Sequence, residues 1–169
     1  MSIEMDCCRR GALGDFPLAQ FWYTASRRQT YDSVGRKAFL YDRLGGVYSI
    51  ATVVDDFIDR VMTDARLNAN PLVDEAHHRV PPAGFKYLVT EMVCWATGGP
   101  QKYTGRSMAT SHAHLKITSE EWEAFLDDFQ QTLDKFAVPA EEQAELKAIV
   151  GSTRSDIVVG SGLADGANA

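Results

Sequence analysis

Apolar residues that return every three and four positions over two long stretches limit the possible folds of this chain more than any other feature. In "VYSIATVVDDFIDRVMTD", residues 47–64, Ile50, Val53, Val54, Phe57, Ile58, Val61 and Met62 form one stripe, and Asp55, Asp56, Asp59 and Arg60 fall toward water. Thr118, followed three residues on by Glu121, reads as a capping box, and Trp122, Phe125, Leu126, Phe129, Leu133 and Phe136 form a second stripe behind it. No convincing strand pattern or repeat is present. The chain is expected to be all-α.

Glycine and proline punctuate these stretches. Gly45 and Gly46 in "YDRLGG" separate a short first helix from a longer one. "AGFKYLVTEMVCWATGG", residues 83–99, is apolar on nearly every side and closes on Gly98–Gly99, so a buried helix with a sharp stop is expected. Before it, "RLNANPLVDEAHHRVPP" is expected to be a loop of moderate length, because Asn and Pro favour turns and a double proline begins a helix rather than continuing one. A short helix should lie near residues 105–115. Pro139 should open the last one, "PAEEQAELKAIVGSTRSDIVV", with a weaker stripe of Leu146, Ile149, Val150, Ile157 and Val158. About four substantial helices and two short ones result.

Residues 1–37 carry no sustained period and read as an N-terminal extension, with a domain over 38–160 and a tail over 161–169. The extension's aromatic cluster, Phe16, Phe21, Trp22 and Tyr23, is expected to dock as a helical turn or to form an interaction patch.

With 45% hydrophobic residues, 169 residues can bury one sizeable core. A formal charge of −6 and the lack of any basic block leave no electrostatic footprint for a nucleic-acid backbone. No apolar run reaches the roughly 18 residues of a membrane span, and the N-terminus lacks a signal peptide's apolar core. A cytoplasmic protein is expected. Cys7, Cys8 and Cys94 have no metal-site spacing and no even pairing. Cys94 reads as a small buried hydrophobe, and a redox or acylation role for Cys7–Cys8 has no support in the sequence.

The histidines are His77, His78, His112 and His114. On a helix His112 and His114 point about 200° apart, so they cannot share one small metal ion. Met108, His112 and Leu115 share a face, which makes His112 the inward candidate and places His114 on the surface. A single histidine on an apolar face suits either a hydrogen-bonded core role or a ligand role. No GxSxG, P-loop, GxGxxG or HExxH motif accompanies it.

From Tyr41 to about residue 158 the chain resembles the truncated haemoglobins, most nearly their first group. The resemblance is carried by "YDRLGG", by "DDFIDRV" in the second helix, by "WATGGPQKYTGRSM", and by H-x-x-L at His112–Leu115, in that order and spacing. It implies a shortened globin fold with helices crossing two over two around haem b. It also implies that His112 is the proximal iron ligand, with Met108 and Leu115 against the proximal haem face. Lys102, Tyr103 and Arg106 are then candidate partners for the haem propionates.

On the distal side the sequence departs from this pattern. Where many members carry Phe-Tyr, with a tyrosine that donates to the gas ligand, this chain has Phe57–Ile58. Phe85 and Val89 stand where relatives often carry a polar residue, so an unusually apolar pocket is expected. The family's phenylalanine between these helices has no clear counterpart in the longer connecting segment. His77 or His78 in that segment is a candidate sixth ligand or hydrogen-bond donor, Tyr87 a further candidate donor. The implied function is reversible binding of a diatomic gas, O2, CO or NO, with oxygen the family default. Oxygen transport, nitric-oxide dioxygenation and peroxidase-like chemistry all use such a haem, and the last two need a reductase. A haem-based sensor or interaction protein is the alternative from another class.

Overall fold

Helix α1 (Leu40–Arg43) ends at two glycines with positive φ, 84° at Gly45 and 75° at Gly46, a region that strains an L side chain and suits glycine. That break lets α2 (Gly46–Thr63) set off in a new direction. The computed structural model describes residues 37–159. Its remaining elements are α3 (Ala65–Asn68), α4 (Pro71–Arg79), α5 (Pro82–Ala96), α6 (Met108–His112), α7 (Ser119–Lys135), α8 (Ala140–Gly151) and α9 (Arg154–Ile157). The expected aromatic patch at Phe16–Tyr23 lies outside the described residues.

Helix α2 is the centre of the molecule, packed against both α5 and α7. Its stripe buries Ile50, Val54, Phe57, Ile58 and Val61, while Val53 and Met62 are half-buried at its edges. Ile58 at 1% exposure and Leu133 of α7 at 0% mark the deepest point of the core. The Phe57 ring lies 5.2 Å from the rings of Phe125 and Phe129 on α7, within the range in which edge and tilted aromatic pairs attract. Asp56 accepts from Arg60 Nε at 2.9 Å and pairs with Lys135 of α7. One α2 carboxylate therefore helps to pin the α2–α7 crossing.

The expected capping box starts α7: Glu121 N donates to Thr118 Oγ1 at 3.2 Å, and Thr118 N donates to Glu121 Oε2 at 2.7 Å. The double proline begins α5, with Pro82 in its first turn, and Gly98 closes it at φ 90°. Cys94 is wholly buried, and desolvation pushes its thiol up to about 11. At neutral pH it is a protonated, unreactive core side chain.

Three expectations are corrected. Residues 66–82 are largely helical: Asn70 Oδ1 accepts from Leu72 N at 3.0 Å and Pro71 follows in the first turn, so the residues read as turn-formers cap and start α4. Helix α5 is not buried on nearly every side, since Tyr87 and Trp95 are 62% and 59% exposed and only Glu91 and Cys94 are buried. An all-round apolar composition does not reveal which face packs. The final helix divides, because the chain turns at Ser152–Thr153 and restarts as α9, and Pro139 caps α8 from outside.

Asp128 on α7 faces Asp64, the N-cap of α3, with Arg66 Nη2 2.8 Å from Asp64 and 3.4 Å from Asp128. Burial above all, then the neighbouring Asp64 charge, pushes Asp128 up to about 6. A carboxyl raised on folding favours the folded state while protonated. Stability from this group is therefore present below its unfolded value of about 4 and lost as pH rises through about 6. Asp128→Asn is expected to flatten the fall in urea midpoint across that window, and an unchanged slope there would contradict the assignment.

Candidate functional site

His112 lies in the last turn of α6, a five-residue helix whose start is capped by Ser107 Oγ, which accepts from Thr110 N at 3.2 Å. The His112 Nδ1–H donates to the Met108 carbonyl at 2.8 Å, as the i−4 spacing of one helical turn allows. The carbonyl has no proton to give, so Nδ1 carries the hydrogen and Nε2 keeps its lone pair. Burial lowers the His112 pKa, which keeps the ring neutral. Met108, His112 and Leu115 are all half-buried and His114 is exposed, in the expected arrangement. Leu115 lies beyond the helix, where its N–H donates to the His112 carbonyl at 2.8 Å.

The segment around His112 is tied down on both sides. Ahead of it, Thr104 Oγ1 and N donate to Glu91 Oε2 of α5 at 2.6 and 3.3 Å. Tyr103 Oη donates to the Arg106 carbonyl at 2.8 Å and lies over Gly105, where an added Cβ would meet that hydroxyl and displace the end of the ring. Behind it, Asn70 Nδ2 donates to the Leu115 carbonyl at 3.0 Å, and Val159 N donates to the Ile117 carbonyl at 3.0 Å. Helix α9 packs on α6.

Other candidates fall in different surroundings. Phe57 and Ile58 are buried in the core, and Phe85 and Val89 of α5 are half-buried against it. Tyr87 is largely exposed, with its hydroxyl donating to Glu91 Oε1 at 2.6 Å. The charged ends of Lys102 and Arg106 are exposed and have no ion-pair partner among the described residues. His77 and His78 border a cleft of about 370 Å³ with Asp59, Met62, Thr63 and Pro82. Asn68 Nδ2 donates to the Met62 carbonyl at 3.0 Å, so its Oδ1 is the acceptor for His77 Nδ1–H at 2.7 Å. His77 therefore also keeps its Nε2 lone pair, and burial lowers its pKa. His78 is exposed, with Nδ1–H donating to the Asp74 carbonyl at 2.8 Å.

Among the described residues, no group of three or more His, Cys, Asp or Glu side chains is placed to hold a metal ion. The described residues offer His112 no partner ligands, and a metal that brings its own, as the iron of a porphyrin does, suits such a lone imidazole. One neutral imidazole beside apolar side chains, with cationic side chains in the segment leading to it, fits such a group. Sequence reasoning missed Glu91, Asn70 and Thr104. The signals were a lone acid inside an apolar helix and an Asn-Pro pair, which marks a helix start as well as a turn.

Residues 39–158 match the family model of the bacterial-like globins. The chain is 32% identical to the group 1 truncated hemoglobin GlbN of Synechocystis over 67% of its own length and 90% of that protein. It is 27% identical to the corresponding protein of Mycolicibacterium paratuberculosis, over 73% of this chain and 86% of that one. Among solved structures, the 2/2 hemoglobin of Synechococcus sp. PCC 7002, in the cyanomet state with covalently attached heme, superposes with a TM-score of 0.64 at 27% identity, covering 72% of this chain and 98% of that one. The truncated hemoglobin of Tetrahymena pyriformis gives 0.63 at 21% identity with the same coverage. The all-α architecture around α2 is accordingly the two-over-two sandwich of the shortened globins, and the chain belongs to the truncated haemoglobin family.

Proposed function

We propose that this chain holds haem b through His112 and binds a diatomic gas in a distal pocket with little polar character. The observation that carries the reading is the state of His112: a neutral ring, with Nδ1–H donating to Met108 and the Nε2 lone pair free, beside half-buried apolar residues. A metal-bound histidine commonly donates its other ring N–H to a carbonyl or carboxylate, which fixes the tautomer and strengthens the ligand. Met108 and Leu115 would lie against the proximal face. Lys102 and Arg106 would pair with the propionates, whereas Tyr103 would first have to release the Arg106 carbonyl.

When bound, the haem supplies an iron with one open coordination position. The side chains proposed to line that position, Phe57, Ile58, Phe85 and Val89, offer no hydrogen-bond donor. A polar gas ligand such as dioxygen would gain no hydrogen bond from residue 58, while the less polar carbon monoxide would lose little. Of the two histidines of α4, His77 suits a second role, with its free lone pair, its partial burial and the cleft beside it.

The test is to load the full chain with hemin and compare ferrous, O2 and CO forms of wild type and Ile58→Tyr. The tyrosine is expected to slow O2 release about tenfold, the worth of one hydrogen bond, and to leave CO release within about twofold. Equal O2 release from both proteins would show that residue 58 is not at the gas. Low-spin ferrous bands before CO is added, lost in His77→Ala, would identify His77 as a sixth ligand. Failure of wild type to bind haem stoichiometrically would remove the function and leave the fold.

A further inference from the structure

Glu91 is a buried acid on α5 with no cation beside it among the described residues, an arrangement that is costly unless other groups compensate. Here both of its oxygens are occupied. Oε1 accepts from the Tyr87 hydroxyl at 2.6 Å, and Oε2 accepts from Thr104 Oγ1 at 2.6 Å and Thr104 N at 3.3 Å. These donors favour the ionised form, and the Thr104 hydroxyl, then the Tyr87 hydroxyl, hold the carboxyl below the usual range.

We propose that Glu91 is a positioning residue for His112, fixing the segment 101–107 against α5 so that α6 starts at a set place. The proposal rests on the reading of His112 as the haem ligand. An apolar residue at 91 would serve helix packing as well, so the distinctive effect of the carboxylate is on Thr104. Thr104 precedes the Ser107 cap by three residues and Met108, whose carbonyl orients the His112 ring, by four. The turn between them is closed by the Tyr103–Arg106 bond. Displacement at Thr104 therefore passes to the cap of α6 rather than being absorbed. Glu91 acts without touching His112, through two bonds from α5 to the segment that leads into α6.

Two readouts test this on the full chain, one without haem and one with it. In the haem-free protein, Glu91→Leu is expected to speed amide exchange at residues 101–107 about tenfold or more, the effect of losing hydrogen bonds to a charged group, with α2 and α7 unchanged. In the hemin-loaded protein, transfer of haem to an excess of scavenging apoglobin is expected to quicken about tenfold, as for other groups that orient a ligand. Glu91→Gln keeps one acceptor oxygen and should fall between Leu and wild type in both. Thr104→Val, which leaves α5 intact, should shift both in the same direction. If Glu91→Leu does not fold, the Gln and Val variants decide. The proposal is overturned if amides 101–107 and haem transfer match wild type, if exchange rises equally throughout the domain, or if Gln behaves as Leu does. If wild type takes up no haem, the reading of His112 falls, while the exchange measurement still decides whether Glu91 fixes the segment.

Discussion

His112→Ala is expected to lower haem retention by on the order of a hundredfold or more, because it removes the proposed axial bond itself, whereas loss of a group behind such a ligand costs 10- to 100-fold. His114→Ala, two residues away and exposed, is expected to change nothing measurable. The contrast matters because it separates a ligand from a general need for imidazole in this segment. Imidazole added to the His112→Ala protein should restore the ferric spectrum, since only the donor is missing. The measurement is hemin titration followed by absorption in the ferric, ferrous and CO-bound states. Undiminished retention in His112→Ala, or loss in His114→Ala, would move the iron elsewhere.

The second large effect concerns the first turn of the domain. Arg43 is buried, with Nη1 2.8 Å from Glu142 and Nη2 2.6 Å from Glu145, joining α1 to α8. Removing one partner of such a pair leaves a charge stranded out of water, at about 3–5 kcal/mol. Arg43→Met is expected to cost near the lower end, about 3 kcal/mol, because Glu145 is partly exposed and also reaches Lys37 Nζ at 2.6 Å. Among the described residues Glu142 has no such second cation. The double variant Arg43→Met, Glu142→Leu should recover most of the loss, since replacing both members of a buried pair by apolar groups is often neutral. Urea unfolding of the two single variants and the double variant measures this, and additive losses would contradict the coupling.

The long helices were legible because burial enforces their periodicity: Ile50, Val54, Phe57 and Ile58 on α2, and Trp122, Phe129 and Leu133 on α7, are interior residues in both the pattern and the structure. Caps were legible where their chemistry is local, as at Thr118 and Gly98. Helix α4 was not, because Asn70 and Pro71 serve a turn and a helix start equally well, and the stripe behind them is short. Its buried anchor is Val73 alone. At the site, the inward face of His112 followed from spacing within one turn. Its supports did not, because the contacts from Glu91 to Thr104 and from Asn70 to Leu115 join positions 13 and 45 residues apart. No periodicity links such positions.

The Arg43–Glu142 contact spans 99 residues of chain, against 31 for the Lys86–Asp55 pair that links α5 to α2. Closing the longer loop costs about 1 kcal/mol more, before any neighbouring contact repays it. On loop closure alone, the α2–α5 pair is expected to form before α1 docks on α8. Interactions absent from the transition state influence the rate of unfolding far more than the rate of folding. In that order of events the ion pair of α1 is a latch on the finished domain: its loss is expected to speed opening and to leave the rate of reaching the native state unchanged.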